Sequence, residues 1–178
     1  SAKQRLTVIG VELPKQKIMH TEWMHADCLA DYYHVDVFSE EHWKILENYF
    51  KEYVKRGCNM MLTPLFTSPL DTAVGLERTT TQLIKVEVVK GEYRFDFSEL
   101  KRWIDLCKKC GIEYYEMSHL FSQWGAKYAP KVVAEVDGKE EKIFGWHTPA
   151  VGEYTRFLKA FLPQLIEKLK EWNIAQVT

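Results

Sequence analysis

The sequence has no long apolar run, no excess of charge of one sign and few cysteines, and each shortage removes a class of protein. Its uninterrupted apolar stretches are only a few residues long, whereas a membrane-crossing helix needs about 20. The start of the chain also lacks the basic, apolar and small-residue succession of a signal peptide. The expectation is a soluble segment with no membrane partner, the cytoplasm slightly favoured. Twenty-four basic residues nearly cancel twenty-five acidic ones, so the electrostatic footprint that phosphate backbones require is missing and no nucleic acid partner is expected. Phosphate binding is set aside as well, because Gly75 is isolated and no glycine-rich strand-to-helix turn exists. The four cysteines, Cys28, Cys58, Cys107 and Cys110, are scattered through a chain too large to need a disulfide framework. They read as free, largely buried thiols. Cys107-Lys-Lys-Cys110 has the spacing of a redox or zinc pair, but it falls in the last turn of an expected helix, and redox pairs need a helix N-terminus to lower the thiol pKa.

What is present suits one substantial core: 178 residues, 46% of them hydrophobic. Six Trp and nine Tyr fit either a large core or a pocket that stacks on carbohydrate. Three helices are marked by caps and apolar spacing. One spans about Ser39 to Arg56, with Ser39 as cap and Trp43, Leu46, Phe50 and Tyr53 as its stripe. Another spans about Ser98 to Cys110, burying Leu100, Trp103, Ile104 and Cys107 and closing at Gly111. The last spans about Gly152 to Trp172, with Tyr154, Phe157, Leu158, Phe161, Leu165, Leu169 and Trp172 inward and a kink at Pro163.

Each helix leads into a strand-like run: Asn59 to Thr63, Ile112 to Ser118 and Ile174 to Thr178; an earlier run, His20 to His25, precedes the first helix. The order is β-α-β-α-β-α-β, which in one sheet demands parallel strands and right-handed crossovers, hence an α/β fold. The helix-to-strand links are short. The strand-to-helix links are long, and two of them hold hairpins, one turning at Lys90-Gly91 and one at Asp137-Gly138. Elaboration on that side only marks the functional face of an α/β protein, which places function in residues 25–34, 64–81 and 119–150. Three and a half βα units make the first half of a TIM-type (β/α)8 barrel, with the hairpins inserted in its βα loops. Residues 18–178 are read as that half barrel, and residues 1–17, containing the strand-like Leu6 to Leu13, as a linker strand from a preceding module. A small complete sheet of four parallel strands is the alternative.

Several residues carry the chemistry of a site. His25 and Asp27 share a face if residues 20–27 are extended; with His34 they would make a divalent metal set, and without metal they would line a ligand pocket. No HExxH-like pair is present, and no metal and no cofactor are assigned. After the third strand-like run, His119, Gln123 and Trp124 offer hydrogen-bonding groups and a flat apolar ring, which a sugar needs in turn. A Ser118/His119 nucleophile pair is disfavoured, since neighbours on a strand point to opposite faces. Between Thr63 and Thr72 a proline-stiffened loop offers polar side chains, which read equally as pocket wall or as a loop held by pairing of Asp71 with Arg78. Glu140 and Glu141 read as a solvated sheet edge.

Together, His20-Thr-Glu-Trp-Met-His-Ala-Asp27, Asn59 to Thr72, His119-Leu-Phe-Ser-Gln-Trp-Gly-Ala126 and Phe144-Gly-Trp146 resemble glycoside hydrolase family 123 and related bacterial barrel proteins. The resemblance runs over nearly the whole chain from about Leu6. It implies a retaining hydrolase of N-acetylhexosamine glycosides, β-N-acetylgalactosaminide-like, in which the substrate's acetamido oxygen is the nucleophile. It also implies that the two adjacent catalytic acids follow the fourth barrel strand, beyond Thr178, so no catalytic residue is assigned within the chain. His25, Asp27, His119, Gln123, Trp124 and Trp146 become candidates for the wall of a carbohydrate pocket. A complete non-catalytic carbohydrate-binding or assembly domain is the alternative function. A half barrel would also expose an apolar strand face to water, from which self-association as a homodimer is expected.

Overall fold

The computed structural model describes residues 3–12, 14, 17–73, 75–123 and 125–176. Among the described residues it is a mixed α/β fold with four helices. α2 (Glu40–Lys55) starts where the Ser39 hydroxyl accepts the His42 N–H at 3.2 Å, and it buries Trp43, Leu46 and Phe50. α3 (Ser98–Cys110) ends at Gly111, whose φ of 94° is the left-handed cap that favours glycine. α4 (Glu153–Glu171) runs on through Pro163 and buries Tyr154, Phe157, Phe161, Leu165 and Leu169. Leu158 and Trp172, also expected inward, are half-buried.

Strands β1 (Met60–Thr63) and β4 (Tyr114–Met117) pair in parallel, Met60 opposite Tyr114 and Leu62 opposite Glu116. Both expected hairpins are present, as β2 (Lys85–Val89) with β3 (Glu92–Asp96) and β5 (Val132–Val136) with β6 (Lys139–Phe144). In each, both turn residues have positive φ: Lys90 and Gly91 in one, Asp137 and Gly138 in the other. Such turns match the twist of the strands they join. The hairpins merge into one sheet of order β3-β2-β5-β6 through parallel pairing of β2 with β5. Glu140 and Glu141 lie exposed on its edge strand β6.

Three of the expected strand-like runs form no strand among the described residues. Residues 20–25 join no ladder, because the Tyr53 hydroxyl lies between them and β1. It accepts the Glu22 N–H at 2.8 Å and lies 2.7 Å from the Met60 carbonyl and 3.0 Å from that of Glu22. Those are groups a strand partner would have used. The chain then turns into a short helix not anticipated from sequence, α1 (Ala26–Tyr33), which ends at His34 in the left-handed conformation. At the other end, Ile174, Ala175 and Gln176 form no strand, and Val177 and Thr178 lie outside the described residues. Residues 3–12 form no strand either, and Leu6, Val8, Ile9 and Val11 are exposed. No described helix is long and apolar enough to cross a membrane.

The core is dominated by rings. Phe66, Phe95, Phe97, Phe157 and Phe161 pack together and fix the hairpin sheet onto α4, with Phe157 and Phe161 reaching Phe66 at 5.4 and 5.0 Å between centroids. Trp43, Phe50 and Trp103 join α2 to α3. Cys107 is fully buried and burial pushes its thiol pKa well up; Cys110 is raised by burial and then by Glu47. All four cysteines are free.

His42 is the one buried histidine among the described residues. Its Nδ1 accepts the Phe38 N–H at 2.9 Å and its Nε2 donates to the Ala26 carbonyl at 3.0 Å, so the ring is neutral and joins α2 to the start of α1. Burial lowers its pKa, against the smaller opposing pulls of the Ala26 hydrogen bond and the Asp27 charge. A histidine lowered in the folded state binds fewer protons there than when unfolded. Its contribution to stability is therefore present above the ordinary histidine pKa of about 6.5 and is lost as pH falls below it. Urea denaturation of the wild type is expected to give lower stability at pH 5.5 than at pH 7.5, and His42→Gln should shrink that difference. An unchanged difference in the variant would remove His42 as its cause.

Candidate functional site

The parallel pair places the carboxyl ends of β1 and β4 side by side, and their continuations are joined by hydrogen bonds. Ser118 donates its N–H to the Thr63 carbonyl at 2.9 Å, and its hydroxyl accepts the Leu65 N–H at 3.1 Å. Ser118 is thus a buried splice between two loops, with no nucleophilic arrangement toward His119. The loop that follows β1 is buried from Pro64 to Leu70. Thr67 holds it to the return of the same loop, its hydroxyl accepting the Thr81 N–H at 3.0 Å, and it bridges to Lys131.

Arg78 organises this loop, with Asp27 and not Asp71 as its partner. It binds Asp27 through Nε to Oδ2 at 2.7 Å and Nη2 to Oδ1 at 3.2 Å, and both side chains are buried, at 11% and 8% exposure. A two-pronged guanidinium–carboxylate pair removed from water is geometrically specific. Burial works against the Arg78 charge, but the hydrogen bond and charge of Asp27 outweigh it and raise the guanidinium pKa. The same guanidinium reaches the Leu70 carbonyl and the Cys28 sulfur. Asp71, the alternative partner for Arg78, instead meets His25, Nε2 to Oδ2 at 2.7 Å. The reason lies in α1: its first turn carries Asp27 inward, so the nearer acid in space is not the nearer acid in sequence.

His25 and Asp27 therefore line one crevice with Thr67, Ser68 and Arg78. Asp27 sits on a helix, so the two do not share a strand face. Trp146 is half-buried, tilted against Tyr128 at 6.3 Å, and lines a second crevice that shares Thr67, Ser68 and Arg78 with the first. Gly145 beside it admits the Glu77 carboxylate so closely that a Cβ would stand 2.9 Å from Oε1, and Lys142 holds that carboxylate at 2.9 Å. Ser68 is buried, yet its hydroxyl has no partner among the described residues. His119 is exposed and lies apart from these crevices, edge to face with Trp23 at 5.6 Å. Gln123 is half-buried, and Trp124 lies outside the described residues. The grouping of His25, Asp27 and His34 is not assembled: Asp27 is taken by Arg78, and His34 caps the far end of α1.

Sequence reasoning passed over Trp23, Ser68 and Glu116. Trp23 donates its indole N–H to Glu116 at 3.0 Å, across from β4. A lone carboxylate two residues before Ser118 in an otherwise apolar and aromatic strand was the available signal for Glu116. Aromatic faces, hydroxyls and imidazoles gathered at one end of a parallel strand pair suit a polyhydroxylated ligand with apolar faces.

The model for the catalytic domain of glycoside hydrolase family 123 matches residues 23–178. The chain belongs to glycoside hydrolase family 123. The match begins at Trp23 and takes in every residue placed above from the two crevices and the Trp23–Glu116 contact. Among solved structures, a family 123 glycoside hydrolase from Clostridium perfringens, whose structural analysis concerns glycolipid glycan hydrolysis, is similar at a TM-score of 0.66 and 22% identity. The similarity covers 88% of this chain and 27% of that one, and at such identity it is a similarity of fold. No curated protein matches the chain.

The buried Asp27–Arg78 pair yields a stability test. Asp27→Ala leaves a buried guanidinium uncompensated and is expected to cost roughly 3–5 kcal/mol, whereas Asp27→Leu combined with Arg78→Met should restore most of that loss. Urea denaturation of the three chains decides it; a single variant as stable as wild type would show that the pair is not desolvated in solution.

Proposed function

We propose that residues 23–178 form the N-terminal part of a TIM-type (β/α)8 catalytic barrel that cleaves N-acetylhexosamine glycosides, β-N-acetylgalactosaminide-like, with retention of configuration. The observation that carries this reading is the family 123 catalytic-domain match over those residues. The unit β1–α3–β4, a parallel pair joined through a helix, supports the barrel, since it is the repeating element of that fold. Elaboration of the loops after β1 and β4 by the two hairpins supports placing the sugar at that end.

In this reading the acetamido oxygen of the substrate attacks the anomeric carbon as the glycosidic bond breaks. One of two adjacent acids beyond Thr178 orients the acetamido group, while the other protonates the departing oxygen. Water then opens the cyclic intermediate from the original face. The residues of this chain bind and orient: His25, backed by Asp71, and Ser68 supply polar atoms, and Trp146 and Trp23 supply ring faces. Gln123 is assigned to the same wall. The glycolipid glycans named for the Clostridium perfringens enzyme are the substrate class to try first.

Two outcomes are expected. The 178-residue chain alone should give no turnover of 4-nitrophenyl β-N-acetylgalactosaminide and the full-length gene product measurable turnover, because leaving-group protonation contributes a factor of about a hundred to ten thousand. Turnover by the short chain, or none by the full-length protein, would contradict the reading. The short chain should also self-associate as a homodimer, since Met60 and Tyr114 on the helix-free strand face are incompletely covered. Sedimentation equilibrium at micromolar concentration checks this, and a monomer would mean that the chain closes its own core.

A further inference from the structure

Met61 and Tyr115 belong to the core shared with the helices, and side chains alternate along a strand, so Met60, Leu62, Tyr114 and Glu116 point to the opposite face of the β1–β4 pair. Three of these four are ordinary for such a face. Glu116 is not: it sets a half-buried carboxyl group in a strand whose other residues are two tyrosines and a methionine. Its observed partner is the Trp23 indole N–H, 3.0 Å from Oε2. Among the described residues no cation pairs with it and Oε1 has no partner. A single donor leaves hydrogen-bonding capacity on a carboxyl group, whose two oxygens accept several hydrogen bonds. The donor residue, Trp23, is 43% exposed, and its ring packs edge to face on His119 at 5.6 Å.

A carboxylate held by an indole N–H, beside the open surface of that same indole, has the chemistry that grips a pyranose: the carboxylate takes hydroxyl protons and the ring takes the apolar C–H face. We propose that Glu116 is a positioning and specificity residue that accepts a hydrogen bond from a ring hydroxyl of the bound aminosugar, with Trp23 both orienting the carboxylate and stacking on that sugar. This rests on the glycosidase reading above and adds to it the residue that selects among hydroxyl patterns. It requires no proton transfer by Glu116.

The test uses the full-length protein with methyl β-N-acetylgalactosaminide and its 3-, 4- and 6-deoxy derivatives as inhibitors of 4-nitrophenyl glycoside turnover. Wild type is expected to bind one of the deoxy derivatives about tenfold or more weakly than the parent, the range of a charge-assisted hydrogen bond. In Glu116→Ala that preference should collapse to within about twofold, while the other derivatives keep their wild-type ratios to the parent. Trp23→Phe, which retains a ring but loses the N–H, should reduce the same preference without creating another. Melting curves of each variant separate this from loss of fold. The inference is overturned if Glu116→Ala, folded, preserves every deoxy ratio, or if all ratios fall together. Absence of aminosugar binding and turnover in wild type would instead overturn the glycosidase reading itself.

Discussion

The buried pair between Asp27 and Arg78 is the constraint on which the loop end of the molecule depends. Neither charge can remain away from water without the other, so the loop that follows β1 must return far enough to deliver Arg78 to the first turn of α1. Other contacts follow from that delivery. The Arg78 carbonyl is brought to Lys131, at the entry to β5, which accordingly donates to it at 3.1 Å. Asp71 is left to pair with His25, and Cys28 lies against the guanidinium. One ion pair thus holds α1, the β1 loop and the second hairpin around the same two crevices. His42 supports it from below, since the ring that ties α2 to the Ala26 carbonyl also fixes where α1 begins.

Beneath this clasp the aromatic core performs a different task. Phe66 leaves the β1 loop to meet Phe157 and Phe161 of α4, and the same two rings receive Phe95 of β3. The hairpin sheet is therefore packed onto a long helix and does not hang from flexible links. Trp146, two residues after β6, inherits its position from that packing. Loops fixed in this way suit recognition of a rigid ligand, because less ordering remains to be done on binding.

Much of this was legible in the sequence, and the exceptions have local causes. Capping residues and apolar spacing gave α2, α3 and α4 nearly to the residue, and the Lys90-Gly91 and Asp137-Gly138 turns gave both hairpins. These are local signals. The joining of the hairpins was not legible, since it depends on residues far apart: the Gln82 side-chain amide acts as a substitute peptide group, donating to the Val133 carbonyl at 2.8 Å and accepting its N–H at 2.9 Å. The run at residues 20–25 passed for a strand because no pattern in it announces that the Tyr53 hydroxyl will occupy its hydrogen-bonding groups. The helix after it set Asp27, and not Asp71, against Arg78. Of the candidate pocket residues, His25, Asp27 and Trp146 fall around one loop, while His119 stands with Trp23 and Glu116.

If the carboxyl end of the β1–β4 pair is the sugar-binding face, the most direct measurement is a crystal structure of the full-length protein with N-acetylgalactosamine bound. The sugar is expected over that end, in contact with Glu116 and the Trp23 ring and facing the loop that Arg78 secures. A sugar seated on the outer surface of the hairpin sheet, or elsewhere with no contact to residues 23–178, would contradict the assignment of this segment as part of the substrate pocket.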